Sequence, residues 1–170
     1  MLPHNTYVII GPESTGKTML CQQLADYFNG AWIPEYARTY IEQLNRPYTY
    51  DDVIHIAKKQ IEIEQQFVTD KKYVFIDTDV IITKVWLQHV FKNSPVWIDE
   101  YLKHAYRKAY LLTYPDLPWE FDPVRENPHL REYLFNWYEK EIKAIHAKYV
   151  IIKDKEKQRI MNAIKYIKNN

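Results

Sequence analysis

The stretch GPESTGKT, residues Gly11–Thr18, matches the phosphate-binding pattern G-x-x-x-x-G-K-[ST] at every required position. It lies between a predicted strand, residues 6–10, and a predicted helix, residues 17–28, which is the context that the pattern requires. The glycines let the backbone form a concavity whose N–H groups point inward, and the helix N-terminus adds partial positive charge. A chance match in a glycine-rich turn is disfavoured, because the whole chain contains only three glycines. The pattern therefore predicts a nucleoside triphosphate-binding loop.

Every residue of this loop is a candidate ligand of the nucleotide: Gly11, Pro12, Glu13, Ser14, Thr15, Gly16, Lys17 and Thr18. In loops of this kind the lysine reaches the β- and γ-phosphates, and the hydroxyl that follows it holds Mg²⁺. We therefore assign the phosphates to Lys17 and expect a magnesium ion at Thr18.

Short β-branched runs alternate with longer helical patterns along the chain. Strands are predicted at residues 6–10, 31–33, 73–76, 109–113 and 149–153. Helices are predicted at residues 17–28, 35–44, 50–69, 81–91, 97–106, 132–147 and 155–167, with Asn29-Gly30 as a helix stop whose glycine takes a positive φ. Strands separated by helices are typical of an α/β fold with a parallel sheet covered on both faces. One domain over residues 1–170 is expected.

Composition and charge exclude several other classes of protein. The net charge of +1 gives no electrostatic footprint for nucleic acid or an anionic membrane, and the basic stretch 153–168 is interpreted as a solvated helix face. No apolar run approaches the roughly 20 residues of a membrane span. Cys21, the single cysteine, excludes an intrachain disulfide and is expected to be a small buried residue. A reducing, cytoplasmic setting is predicted.

Two carboxylates follow the predicted strand 73–76, at Asp77 and Asp79. Acids at the carboxyl ends of parallel strands lie on the ligand side of such sheets. Either residue is a candidate to organise Mg²⁺, directly or through water. The alternative is that an Asp or Thr here only caps the next helix.

Glu35 and Arg38 follow the second predicted strand, three residues apart on one helix face. A carboxylate here can accept a proton from an attacking hydroxyl, while the arginine holds substrate or phosphate. An exposed ion pair of little energetic weight is the alternative. Periodicity alone does not decide between the two.

Residues 114–129 contain four prolines and are interpreted either as a surface connection or as a lid over the site. Asp122, Arg125 and Arg131 follow Trp119 in and just after this stretch. An arginine that closes on the transferring phosphoryl group stabilises its charge. Solvated surface charges are the alternative reading of these residues.

Four motifs occur in the sequence in this order: GPESTGKT, PEYAR, FIDTD, and PW followed by Asp122 and Arg125. With these motifs, the sequence resembles the ribosylnicotinamide kinase domain of NadR-like proteins. The likeness runs from about residue 7 to residue 153. It implies a P-loop kinase fold with five parallel strands in the order 2-3-1-4-5, helices on both faces and an arginine-bearing lid. It also implies ATP- and Mg²⁺-dependent phosphorylation of the 5′-hydroxyl of nicotinamide riboside, which gives nicotinamide mononucleotide in NAD salvage.

Carried onto this chain, the resemblance places ATP in the loop, Glu35 or Asp77 at the ribose hydroxyl and Arg125 in the lid. The acceptor site is expected to draw on Glu35, Tyr36, Arg38, Asp77, Asp79, Trp86, Trp119 and Asp122. An aromatic side chain, from Trp86, Tyr36, Tyr40 or Trp119, would stack on the pyridinium ring. For each of these aromatic residues, core packing is the alternative role.

The adenylyl-transfer signature His-x-Gly-His of full-length NadR-like proteins does not occur in this sequence, so a stand-alone kinase-like domain is expected. The leading alternatives are a kinase for another nucleoside or nucleotide, and a regulatory P-loop ATPase without a small-molecule acceptor. The expected partner is a small-molecule nucleoside, with no nucleic acid and no membrane. Whether the chain forms a homo-oligomer stays open.

Overall fold

The computed structural model describes residues 2–105, 109–120 and 129–170. Asp122 and Arg125 lie outside these residues, as does the middle of the predicted lid. Their roles therefore stay predictions.

Within the described residues, five strands form one parallel sheet: β1 (Asn5–Ile10), β2 (Ala31–Ile33), β3 (Tyr73–Asp77), β4 (Ala109–Thr113) and β5 (Tyr149–Ile152). Their spatial order is β2-β3-β1-β4-β5, which confirms the predicted order. The central strand β1 pairs with β3, where Ile9 lies beside Asp77, and with β4, where Ile10 lies beside Leu112. Both neighbours of β1 therefore deliver their carboxyl ends to the edge at which β1 ends.

The helices of the described chain are α1 (Lys17–Tyr27), α2 (Tyr36–Gln43), α3 (Tyr50–Gln66), α4 (Val80–Phe91), α5 (Val96–His104), α6 (Arg131–Ala144) and α7 (Glu156–Lys168). Side chains alternate across β1, so Tyr7 and Ile9 join a core under α1 and α7, while Val8 and Ile10 join a larger core under α3 to α6. Helices thus cover both faces, as predicted. No helix of the described chain is long and apolar enough to cross a membrane.

The stop of α1 differs from the prediction in one detail. Asn29, not Gly30, has the positive φ, at +46°. Gly30 is needed for a close approach instead, because a Cβ there would lie 2.8 Å from the Tyr73 carbonyl oxygen. The glycine therefore lets the start of β2 pack against β3, and asparagine tolerates the left-handed turn.

The basic stretch at the C-terminus is only partly a solvated face. Lys157, Lys165 and Lys168 are exposed on α7, but Arg159 is 5% exposed. The prediction was wrong for Arg159 because that residue lies on the apolar side of α7, where tertiary contacts bury it. Cys21 is fully buried on α1, as expected.

Candidate active site

The loop between β1 and α1 is held against the end of β4. A Cβ on Gly11 would lie 2.1 Å from Thr113 Oγ1, so only glycine fits there. The Thr15 hydroxyl donates to the Pro12 carbonyl at 2.7 Å and lies 2.7 Å from Thr113 Oγ1. Gly16 has φ +71°, a left-handed conformation that glycine adopts without strain. The loop is therefore shaped by its own sequence and by one threonine of β4.

Lys17 lies at the first position of α1 and lines the cleft above the loop. Its Nζ donates to the Pro12 carbonyl at 2.9 Å. Among the described residues, the ammonium group is thus held at the loop by a neutral carbonyl acceptor, which a phosphate oxygen can replace.

The cleft at the carboxyl edge of the sheet has a volume of about 830 Å³. On the β2 and β3 side it is lined by Glu35, Ala37, Arg38, Ile41, Tyr48, Ile82, Trp86, His89 and Val90. On the β4 and β5 side it is lined by Leu117, Pro118, Glu120 and Arg159. The phosphate loop, including Lys17, also lines this cleft. Ligands bind at this place in open α/β sheets, where the strand order reverses.

The described start of the predicted lid is bound to the phosphate loop. Arg131 donates to the Leu117 carbonyl at 2.9 Å and to the Ser14 carbonyl at 3.0 Å. The Ser14 hydroxyl donates to the Glu120 carbonyl at 3.3 Å. Trp119 is half-buried beside these residues but does not line the cleft. The Arg131 side chain therefore links the segment after β4 to the phosphate loop through two backbone carbonyl oxygens.

The two acids after β3 have different surroundings. Asp79 caps α4, since its Oδ1 accepts from the Ile81 amide at 3.0 Å, and its Oδ2 accepts from the Tyr110 hydroxyl at 3.3 Å. Asp77 is 1% exposed, and its Oδ1 has no hydrogen-bond partner among the described residues. Burial raises the pKa of Asp77, while the Thr18 hydroxyl and the Lys17 charge lower it. A free carboxylate oxygen beside the loop threonine fits Mg²⁺, which is held by few protein oxygens and several waters.

We expect Asp77→Asn to lower the rate of ATP turnover and raise the Mg²⁺ concentration that turnover requires, by far more than Asp79→Asn does. Asparagine caps a helix about as well as aspartate, so Asp79→Asn is a matched control that keeps the contact with the Ile81 amide. Magnesium titrations of initial rate measure both variants. Equal and trivial effects from the two changes would contradict the assignment of Asp77.

Glu35 lies directly before α2, half-buried, and lines the cleft with Lys17. Burial raises the pKa of its carboxyl, the Lys17 charge lowers it, and the Asp77 charge raises it again. Arg38 also lowers it, although Arg38 Nε donates to Glu42 Oε1 at 2.9 Å. The net direction is upward, so Glu35 is a stronger base than an exposed glutamate.

Among the predicted aromatic residues, Trp86 lines the cleft. Its ring meets Tyr48 edge to face, with ring centroids 4.8 Å apart. Tyr36 and Tyr40 instead pack on each other and on His55, and neither lines the cleft.

Sequence reasoning missed several residues that line the cleft: Tyr48, His89, Leu117, Tyr138 and Arg159. Tyr138 is buried on α6, and its pKa is raised first by burial and then by the charges of Glu13 and Glu35. Arg159 donates to the carbonyls of Ile152 and Tyr114 and to the Asp116 carboxylate. Helical spacing predicts ordinary core or surface positions for both Tyr138 and Arg159, and no signal in the sequence indicates that they line a cleft.

A phosphate-binding loop after the central strand of this sheet, with Asp77 at the end of the neighbouring strand β3, defines a P-loop nucleotide-binding protein. The AAA domain family matches residues 6–159, and the chain belongs to this family. The chain is 26% identical over 127 residues to the trifunctional NAD biosynthesis/regulator protein NadR of Escherichia coli (strain K12), covering 71% of the chain and 30% of that protein. It therefore spans under a third of the length of the curated relatives it matches.

Solved structures show the same fold. The NadR protein in complex with NR superposes with a TM-score of 0.85 at 23% identity, covering 97% of this chain and 51% of that one. Thymidylate kinase from Ehrlichia chaffeensis superposes with a TM-score of 0.69 at 13% identity, covering 95% and 97%. The resemblance to NadR-like proteins and the P-loop kinase fold are thus confirmed.

Proposed function

We propose that this protein is an ATP-dependent kinase that phosphorylates the 5′-hydroxyl of a nucleoside, with nicotinamide riboside as the acceptor. The observation that carries the proposal is the common cleft of Lys17 and Glu35, in which the loop lysine and a half-buried carboxylate are close enough to influence each other. The similarity to NadR, one structure of which contains NR, supports the choice of acceptor.

Different residues of the chain have different roles in the proposed phosphoryl transfer. The loop amides and Lys17 bind and neutralise the β- and γ-phosphates of ATP. Thr18 and Asp77 would hold Mg²⁺, which supplies further charge stabilisation at those phosphates. Glu35 accepts the proton of the ribose hydroxyl as its oxygen attacks phosphorus. By the resemblance, Arg125 adds positive charge to the transferring group.

The acceptor end of the cleft suits a cationic ring. Both Glu13 and Glu35 line the cleft, and their negative charges reach the Tyr138 hydroxyl, whose pKa they help to raise. Trp86 and Tyr48 offer an aromatic wall on the same side. A pyridinium ring gains from both features, because carboxylates and aromatic faces attract a cation.

We expect kcat/KM for nicotinamide riboside to exceed that for uridine, cytidine or adenosine by at least ~10-fold, about 1.4 kcal/mol of transition-state binding. A coupled assay of ATP consumption, run with each acceptor, measures the ratio. The neutral, reduced form of nicotinamide riboside is the matched chemical control and should be a poorer substrate. Glu13→Gln should reduce the difference in kcat/KM between the charged and the reduced form of nicotinamide riboside, because it removes one of the charges that attract the ring.

Two outcomes would contradict this proposal in different ways. If a common nucleoside matches nicotinamide riboside, the chain is a kinase for another acceptor. If no acceptor stimulates ATP turnover, a regulatory P-loop ATPase is the better description.

A further inference from the structure

Thr78, between the two acids after β3, has an unfavourable backbone conformation. Its φ is +78°, in the left-handed region that β-branched residues rarely adopt. Its amide donates to the Ile9 carbonyl at 3.0 Å, which fixes the turn at the end of β3 to the central strand. A smaller or more tolerant residue would fit this turn with less strain.

The side chain of Thr78 adds a second unfavourable feature. The residue is 6% exposed, and Oγ1 has no hydrogen-bond partner in the part of the chain that the structure describes. A buried hydroxyl without a partner is costly, and valine or alanine would avoid the cost. Residues that combine strain with an unsatisfied polar group are concentrated at functional sites.

A small cavity next to Thr78 offers space for a partner of its hydroxyl group. The cavity has a volume of about 30 Å³, enough for one water molecule. Glu35, Gln60, Thr78 and Asp79 give it polar walls, and Ala37, Ile56, Ile82 and Trp86 close its apolar side. A buried water needs two to four polar partners, and these walls supply them.

We propose that one water molecule binds in this cavity and that Thr78, through its hydroxyl and this water, holds the Glu35 carboxylate in position to receive the substrate proton. Thr78 is then a positioning residue, and the inference rests on the proposed role of Glu35. In support, Thr78 and Glu35 line the same cavity, and the nearby Thr78 hydroxyl lowers the pKa of the Glu35 carboxyl. On this proposal, the strained turn at Thr78 is retained because it brings the Thr78 hydroxyl to the side of the Glu35 carboxylate that lines the cavity.

Thr78→Val and Thr78→Ser separate the hydroxyl from the shape of the residue. Valine keeps the branch at Cβ and removes the hydroxyl, whereas serine keeps the hydroxyl and removes the methyl group. We expect Thr78→Val to lower kcat at least ~10-fold, because a misplaced base costs rate rather than binding, with KM for ATP near the wild-type value. Thr78→Ser should recover most of this loss. If the valine variant does not fold, Thr78→Ala replaces it in the same comparison.

A high-resolution crystal structure tests the site without any assay of activity. In the wild-type protein we expect density for one water in the cavity, within hydrogen-bond distance of Thr78 Oγ1 and Glu35. In Thr78→Val the Glu35 carboxylate should leave its wild-type position. A dry cavity, an unmoved Glu35 or a valine variant with wild-type kcat would each overturn the inference. Absence of acceptor-stimulated turnover in the wild type would instead reject the proposed function.

Discussion

Lys17→Ala should lower kcat/KM for ATP turnover by at least ~10²-fold and leave the fold intact. A single group aimed at developing charge in a transition state is worth about this much. The structure supports a small effect on folding, because within the described part of the chain Lys17 Nζ donates to the Pro12 carbonyl of its own loop and not to another element. Initial rates at saturating acceptor, with a thermal unfolding scan of the same sample, measure both effects.

Lys71→Ala is a suitable control for this variant. Lys71 donates to Asn29 Oδ1 at 2.8 Å and does not line the cleft, so its loss should leave the rate unchanged. A Lys17→Ala protein with near-normal activity would show that the cleft does not bind nucleotide phosphates through this loop. A variant that unfolds at room temperature would show that Lys17 has a structural role that the observed contacts do not explain.

The phosphate loop could be located from the sequence because its requirements are local. Two glycines, a lysine and a threonine at fixed spacing determine the turn, the cation and the hydroxyl, and the flanking strand and helix are visible in the same window. The sheet order was also predicted correctly, through the family resemblance. Glu35 was identified because it follows a strand end, where topology places ligands, and Trp86 was identified through the family resemblance.

Other parts of the site depend on tertiary contacts that no short pattern encodes. Arg159 lies 149 residues after Ile10, the last residue of β1, and only the packing of α7 brings it into the cleft wall. Tyr138 has the spacing of an ordinary core residue on α6. The choice between a cap and a ligand at Asp79 required the Ile81 and Tyr110 contacts. The role of Thr78 is indicated only by its backbone φ and its burial, which cannot be determined from the sequence.

Glu35→Gln should lower kcat by ~10²–10⁴-fold, with a smaller change in the acceptor KM. Glutamine keeps the length and much of the hydrogen bonding of the side chain but cannot accept the hydroxyl proton. Glutamine also removes one of the charges that attract the cationic ring, but Glu13, Trp86 and Tyr48 remain in the cleft, so the acceptor KM should change less than kcat. Steady-state rates over a range of acceptor concentrations measure the two parameters separately.

The pH dependence of the rate provides a second measurement of Glu35. Its pKa is raised above the ordinary glutamate value by burial, and the base acts only when deprotonated. The wild-type kcat should therefore fall as the pH is lowered through this raised pKa. Glu35→Gln should lose this acidic limb, because the group that titrates is absent.

Glu35→Gln should raise the thermal stability of the protein although it lowers the catalytic rate. With a folded-state pKa above the unfolded-state value, the stability associated with this carboxyl is fully present below the unfolded-state pKa and is lost as the pH rises through the folded-state pKa. At neutral pH Glu35→Gln removes that loss, so the inactive variant should unfold at a higher temperature than the wild type. Glu42→Gln is the control, because Glu42 is an exposed carboxylate paired with Arg38 one turn along the same helix. If Glu35→Gln is active, or is inactive but destabilised, Glu35 is a structural acid and the base must be sought at Asp77.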